Sequence, residues 1–495
     1  MRKLFLTTSL VLTSFTMASA QDEVGITAKA TEVAEVVEAV KEAPCNQGTC
    51  KSTWDGMSQE DQGPIYAFAD DYKAFMAKSR TELTVVSNTV ALAKAAGFTE
   101  WREGMKIKAG VKYYHVNRDR AMLLIVGGNK SIKDGIKISA AHIDSPRLEL
   151  KGRPIYGKEG FALFQTNYHG GIKTYQWTNI PLALVGRVDK KDGSTIDISI
   201  GLNPDDPIMM IPDLSPHIAG AQKKRSASEV ITHEELDPIV ASGPHAAGSA
   251  DKWLLEHLKS TYNIDPADLV SAELSLVPAM PPRDLGFDRR LTAIYGQDDK
   301  LSGYAGIRAA LDMTTPEQTA IIYLADNEES GNNNVTGASS AYLTDMIGEF
   351  LYAELGSEYR EPELARVFRK SKALSMDVNP AVNPMSLGAW EMGNAPRVGH
   401  GINMKLYGRG FDANSEFIAW TRAALDDANV PWQTSTYKVA RGGGGTLGRE
   451  IARYNIETID FGVPVLSIHT PYSVSDKSDV YNLYRGIIAF HMHGK

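Results

Sequence analysis

The stretch KISAAHIDS, residues 137–145, decides how the chain is read. A short apolar run stops at a histidine, and an aspartate follows two positions later. The same pattern returns further on. IIYLADNEES (321–330) runs into a glutamate pair, KALSMD (372–377) ends on an aspartate, and VPVLSIHTPY (463–472) carries a second histidine. Short apolar runs bounded by polar residues mark buried strands. Ala121–Val126 has the same look. Between the runs lie helical patterns, at 303–311 and 416–425, and from Gly63 onward Tyr66, Phe68, Tyr72, Phe75 and Met76 recur at three-to-four spacing. Strands alternating with helices predict an α/β fold, a mixed and mostly parallel sheet flanked by helices.

The segment 151–284 breaks this rhythm with turn-rich, β-leaning stretches at 174–188 and 194–200 and a helix near 251–262. It reads as a β-rich domain inserted into the first, leaving 56–150 and 285–495 as the two parts of the main domain. The first twenty residues, MRKLFLTTSLVLTSFTMASA, have a positive start, an apolar run too short to span a bilayer, and a small-residue end. That is the layout of a cleavable export signal. The mature chain is then expected to begin near Gln21, with 21–55 as an N-terminal extension, and to be periplasmic or secreted. Cys45 and Cys50 are the only two cysteines. In an oxidising compartment they are expected to close a small disulfide loop, with two free thiols as the alternative.

A chain of 495 residues with 43% hydrophobic and 23% charged residues buries a large core without disulfide help. Its net charge of −8 argues against broad binding to nucleic acid or anionic membrane. No segment after the signal is apolar enough to span a membrane.

Chemistry gathers where the runs end. His142, Asp298 and Asp299 (in YGQDDK), Glu328 and Glu329, Asp377 and His469 are far apart in sequence. In an open parallel sheet the carboxyl ends of the strands line one crevice, so folding would bring such groups together. Two imidazoles with three or four carboxylates suit divalent cations, and the histidines favour zinc. Each fragment alone has a plainer reading: an aspartate after a strand caps a turn, and a glutamate pair starts a helix. Their joint occurrence in this order is what points to a metal site.

Several phrases resemble the aspartyl aminopeptidase and vacuolar aminopeptidase I family of dinuclear zinc peptidases, and more closely its bacterial branch. They are AHIDSPRLELK (141–151), YHGGIKTYQWTNIPLALVGRV (168–188), FDRRLTAIYGQDDK (287–300), SMDVNPA (375–381), GGGGTLG (442–448) and IDFGVPVLSIHTPYSVSDKSDVY (459–481). The resemblance runs from about residue 60 to the C-terminus. It implies a zinc-exopeptidase-like fold, with the insert pairing subunits and walling the site. It also implies two divalent ions per subunit, zinc first, with cobalt or manganese as alternatives. His142 and Asp377 would hold one ion, Glu329 and His469 the other, and Asp298 would bridge them. Asp144 would orient His142, and Glu328 would be the general base of peptide hydrolysis. His217, in IPDLSPH, resembles a histidine that reaches a neighbouring subunit's site. Lys405, Gly444 and Thr446 are candidates for contact with substrate. The partners implied are peptides and further copies of the chain, in a homododecamer built from dimers.

Two departures stand out. The family usually has an aliphatic residue and Gly-Ser after the glutamate pair, where this chain has Ser330, Gly331 and Asn332–Asn334. Export is the second, since the family is mostly intracellular. His491 and His493 have an H-x-H spacing but read as a solvated terminal pair. The leading expectation is an exported zinc aminopeptidase. Its rivals are a dinuclear carboxypeptidase or deacylase on the same fold, and a periplasmic metal- or peptide-binding protein without catalysis. All three depend on His142 and His469 meeting within the reach of a two-metal cluster.

Overall fold

The computed structural model describes residues 51–494, apart from 247, 408–409 and 440–442. The expected signal segment, nearly all of the extension, the Cys45–Cys50 pair and Gly442 lie outside the described residues. Trp54, at the end of the expected extension, is buried, and its indole N–H donates to Asp476 at 3.0 Å.

The main sheet has nine strands. In spatial order they are Thr99–Glu100, Lys112–Asn117, Ala121–Val126, Ala320–Ala325, Lys137–His142, Lys372–Met376, Glu457–Gly462, Ile402–Lys405 and Trp432–Ser435. The four in the middle, from Ala320–Ala325 to Glu457–Gly462, run parallel to one another. Antiparallel pairings flank them on both sides. The mixed, centrally parallel sheet is thus the one the sequence predicts.

Successive strand residues point to opposite faces, and here both faces are apolar. Met122, Leu124, Ile322, Leu324, Leu374 and Phe461 join one hydrophobic cluster. Leu123, Ile125, Ile138, Ile321, Tyr323 and Ala373 join another. The first face is covered by helices Gln59–Lys78, Gln297–Asp312, Ser415–Asp427 and Lys477–Met492, and the second by Tyr342–Leu355 and Glu361–Lys370. A strand buried on both faces must read as a continuous apolar run, which is why AIIYLA stood out. Leu324 is fully buried in the first cluster. Leu324→Ala is expected to cost about 2–5 kcal/mol, seen as a lower midpoint of thermal unfolding; an unchanged midpoint would place the strand outside the core.

A second, six-stranded antiparallel sheet occupies residues 147–278. Its order is Thr195–Ile200, Leu182–Asp189, Ala272–Pro278, Arg147–Lys158, Phe161–His169 and Ile239–Ser242, and it has its own apolar cluster around Trp177, Leu184 and Leu276. Helix Ala250–Tyr262 packs on it. The first strand starts at Arg147, directly after the HIDSP segment. The stretch 174–188 is not all strand: Thr174–Trp177 is a 3-10 turn, and the strand begins at Leu182.

Two further expectations need correction. The apolar run 463–468 is not a strand of the main sheet; only Pro464–Val465 is extended, paired with Asn379–Pro380, and the sheet strand lies just before it at Glu457–Gly462. His491 is not solvated. It is 1% exposed in helix Lys477–Met492, and its Nε2 lies 2.9 Å from Ser139 Oγ.

Candidate active site

The carboxyl ends of neighbouring parallel strands bring the predicted groups together. His142 closes its strand, opposite Ala325 in register, and Glu328 and Glu329 follow three and four residues beyond Ala325. Asp377 follows the end of Lys372–Met376. Asp298 comes from another direction, at the start of Gln297–Asp312, where its backbone is not helical. His469 sits on the loop between Pro464–Val465 and Ser473–Asp476 with φ 62°.

The centre of the arrangement is one carboxylate. Asp298 Oδ1 lies 3.3 Å from His142 Nε2, and Asp298 Oδ2 lies 3.1 Å from His469 Nε2. Glu329 Oε1 is 3.0 Å from the same His469 nitrogen. Both imidazoles are oriented from behind. His469 Nδ1 is 2.7 Å from the Gly171 carbonyl, which can only accept, so Nδ1 carries the proton and Nε2 faces the carboxylates. His142 Nδ1 is 2.8 Å from Asp144 Oδ1, with the same consequence for its Nε2.

Asp144 does more than orient one ring. It is fully buried, and each oxygen accepts twice. Oδ1 takes His142 Nδ1 at 2.8 Å and the Glu328 amide at 3.1 Å; Oδ2 takes His169 Nε2 at 2.8 Å and the Glu329 amide at 3.1 Å. One carboxylate therefore fixes a histidine and the backbone of both glutamates. His169 escaped the sequence reading, because nothing in YHGG distinguishes its ring from a packed one.

The electrostatics call for cations. Three buried carboxylates converge, and Asp298 bears on the other two. Burial and Asp298 push Glu329 up, and burial pushes Asp377 well up, with Asp298 adding to it. Burial would lower His469, but Asp298 and Glu329 outweigh it and raise the ring to about 11. Among the described residues, two groups of donors have atoms within 4.8 Å of one another: His142, Asp298 and Glu329, and His142, Asp299 and Asp377. Imidazole nitrogens mixed with carboxylate oxygens at this spacing fit divalent metal ions, zinc among them. Asp298, not Asp299, is the carboxylate that faces both imidazoles.

His142, Asp298, Glu329, Asp377 and His469 line a cavity of about 710 Å³. Glu328 lines it too, and among the described residues its carboxylate has no hydrogen-bond or ion-pair partner. Gly443, Gly444 and Gly445 form part of the wall, and a Cβ on Gly445 would stand 3.6 Å from Glu328 Oε1. Lys405 reaches in with its ammonium 3.6 Å from Asp377 Oδ2, and donates to the Val378 carbonyl at 3.2 Å. Thr446 does not line the cavity: it is buried, and its hydroxyl donates to Asp460 at 2.6 Å, which anchors the glycine loop. His217 stands on an exposed loop of the segment 147–278 and is not among the cavity's lining residues.

Residues 75–491 match the family model described as aminopeptidase I zinc metalloprotease (M18). A probable M18 family aminopeptidase 1 of Borrelia garinii is 36% identical over 453 residues, 89% of this chain and 99% of the relative. A protein of the same description from Clostridium acetobutylicum is 36% identical over 456 residues, 89% and 97% of the two chains. The crystal structure of an M18 family aminopeptidase from Thermotoga maritima superposes with a TM-score of 0.84 at 34% identity, covering 89% and 98%. The S. cerevisiae mApe1 dodecamer shares the fold at 21% identity and a TM-score of 0.72, covering 88% and 98%. With a histidine–carboxylate cluster at the strand ends and relatives matched over nearly their whole length, this chain belongs to the M18 family of zinc metalloproteases and is a metallo-aminopeptidase.

Proposed function

We propose that the chain is an exported aminopeptidase that removes the N-terminal residue of peptides with the help of two divalent ions, zinc by the chemistry of the ligands. The observation that carries this reading is the Asp298 carboxylate, with one oxygen toward each imidazole. His142 and Asp377 would hold one ion and Glu329 and His469 the other, with Asp298 between them. When bound, such a pair lowers the pKa of a shared water and polarises the scissile carbonyl. Glu328, free and facing the cavity, takes the proton of the attacking water and delivers it to the leaving amine. The wall formed by Gly443–Gly445 presents main-chain groups close to a bound peptide, since glycine lets the backbone approach. Lys405, 3.6 Å from Asp377 Oδ2, holds that carboxyl in place and works against the upward push of its burial.

The N-terminal segment 1–20 supports export, and the assembly reading follows the dodecameric relative. The six-stranded sheet would pair subunits, and His217 on its exposed loop would complete a neighbour's site. Among the described residues no helix is long and apolar enough to cross a membrane.

Peptides blocked at one end or the other test the reaction. Cleavage should require a free α-amine and tolerate an amidated C-terminus; cleavage of N-acetylated peptides from the C-terminal end would instead favour a carboxypeptidase. Chelation should remove activity, and zinc, cobalt or manganese should restore it. Full turnover by protein shown to be metal-free would defeat the metal mechanism.

A further inference from the structure

Three consecutive residues at the end of a strand of the second sheet, His169 to Gly171, touch three parts of the active site. At the end of Phe161–His169, the His169 ring meets Asp144. The Gly170 amide donates to Ser330 Oγ at 3.0 Å, pinning the loop after the glutamate pair. The Gly171 carbonyl holds His469 Nδ1. Two of these contacts are made by the main chain, at glycines, and a Cβ on Gly170 would stand 2.9 Å from Pro146. The third depends on the histidine.

We propose that His169 is a positioning residue of the peptidase site, acting through Asp144 on His142 and on the backbone of Glu328 and Glu329. The inference rests on the functional reading above for the reaction, and on the structure for the contacts. His169 is 5% exposed, and each ring nitrogen has a carboxylate partner. Nε2 is 2.8 Å from Asp144 Oδ2, and Nδ1 is 3.2 Å from Glu149 Oε1. Behind Glu149 the chain of charges continues through Arg147, 3.1 Å from Glu149 Oε1 and 3.2 Å from Glu82 Oε2. A ring with a carboxylate on each side donates from both nitrogens. Burial opposes its charge, but Asp144 and Glu149 outweigh this and hold it near a pKa of about 9.

Asp144 gains in two ways. Its buried negative charge is paired, where a lone one would be strongly disfavoured. Its Oδ2 is also held in the plane that the Glu329 amide needs, while Oδ1 serves His142 and Glu328. Without the His169 donor the carboxylate can swing, and the imidazole and both glutamates move with it. Outer hydrogen-bond partners of this kind are worth about 10–100-fold in metal affinity or activity.

The test compares two substitutions in the full-length chain. His169→Gln places an amide N–H where Nε2 stands, toward Asp144. His169→Asn places one where Nδ1 stands, toward Glu149, and leaves Asp144 Oδ2 without its side-chain donor. Zinc affinity is read by competition with a chromophoric chelator, and kcat and KM on a free-amine aminoacyl substrate. The asparagine variant should lose about 10–100-fold in zinc affinity and in kcat with little change in KM, and the glutamine variant should recover most of both. Equal behaviour of the two, whether both harmless or both damaging, overturns the proposal. Should His169→Asn not fold, His169→Phe replaces it, keeping ring volume without donors, under the same expectation. The zinc arm separates this inference from the functional reading. A parent that binds zinc but cleaves no peptide defeats that reading and leaves zinc affinity to judge His169; a parent that binds no zinc overturns both.

Discussion

Glu328→Gln is expected to lower kcat by about 10²–10⁴-fold, the range that positioned proton transfer contributes, while the protein keeps its full metal content. The substitution preserves shape and backbone contacts. The Glu328 amide still donates to Asp144 at 3.1 Å, and the neighbouring Glu329 still faces His469 at 3.0 Å. What disappears is the proton acceptor. Glu328 is the acidic side chain of the cavity that is not engaged with an imidazole or a lysine, so it is the one free to exchange protons with water and substrate. KM should change little, because the amide occupies the same place. Metal analysis and steady-state kinetics on one sample check both halves. A zinc-replete variant within tenfold of the parent would take Glu328 out of the proton-transfer role.

The parts of this molecule that were legible in the sequence share one property: their burial is symmetric. AMLLIV and AIIYLA are apolar on both strand faces because helices cover both, so an apolar run and a buried strand coincide. The site groups at the ends of such runs, His142, Glu329 and Asp377, could be placed from the runs alone. The strand beside His469 could not. Its true sheet strand, ETIDFG, carries Asp460 in the interior, where burial pushes its carboxyl up against the opposing pull of Lys405 and Thr446 bonds it. A buried acid breaks the apolar pattern, and the more hydrophobic VPVLSI next to it drew the reading instead. His491 misled in the opposite sense. A histidine near a chain end is normally wet, but here the last helix docks on the sheet, and Lys137 closes its end by donating to the Phe490 carbonyl at 3.0 Å and to that of His493 at 2.6 Å. His169 lies 25 residues beyond its partner Asp144, and only the antiparallel pairing that sets Arg147 against His169 brings the two together. No local pattern records such a meeting.

Asp298→Asn should cost the site both metal and turnover. It keeps volume, backbone and one carbonyl oxygen, so the fold is expected to survive with its thermal midpoint nearly unchanged. The loss is of charge and of symmetry. The carboxylate offers equivalent oxygens to His142 at 3.3 Å and His469 at 3.1 Å; an amide offers an acceptor to one and an N–H₂ to the other, and that N–H₂ cannot bind a cation. Asparagine must therefore abandon one half of the site whichever way it turns. Zinc content should fall to half of the parent's or less. Activity should drop by more than the roughly 10–100-fold that follows loss of an outer hydrogen-bond partner. The same substitution at Asp299 separates position from charge. Asp299 is fully buried beside Asp377, which with burial pushes its carboxyl well up, so it already tends toward the neutral state that asparagine imitates. Asp299→Asn should then retain more metal and more turnover than Asp298→Asn. The reverse ranking would move the bridge one residue along the chain.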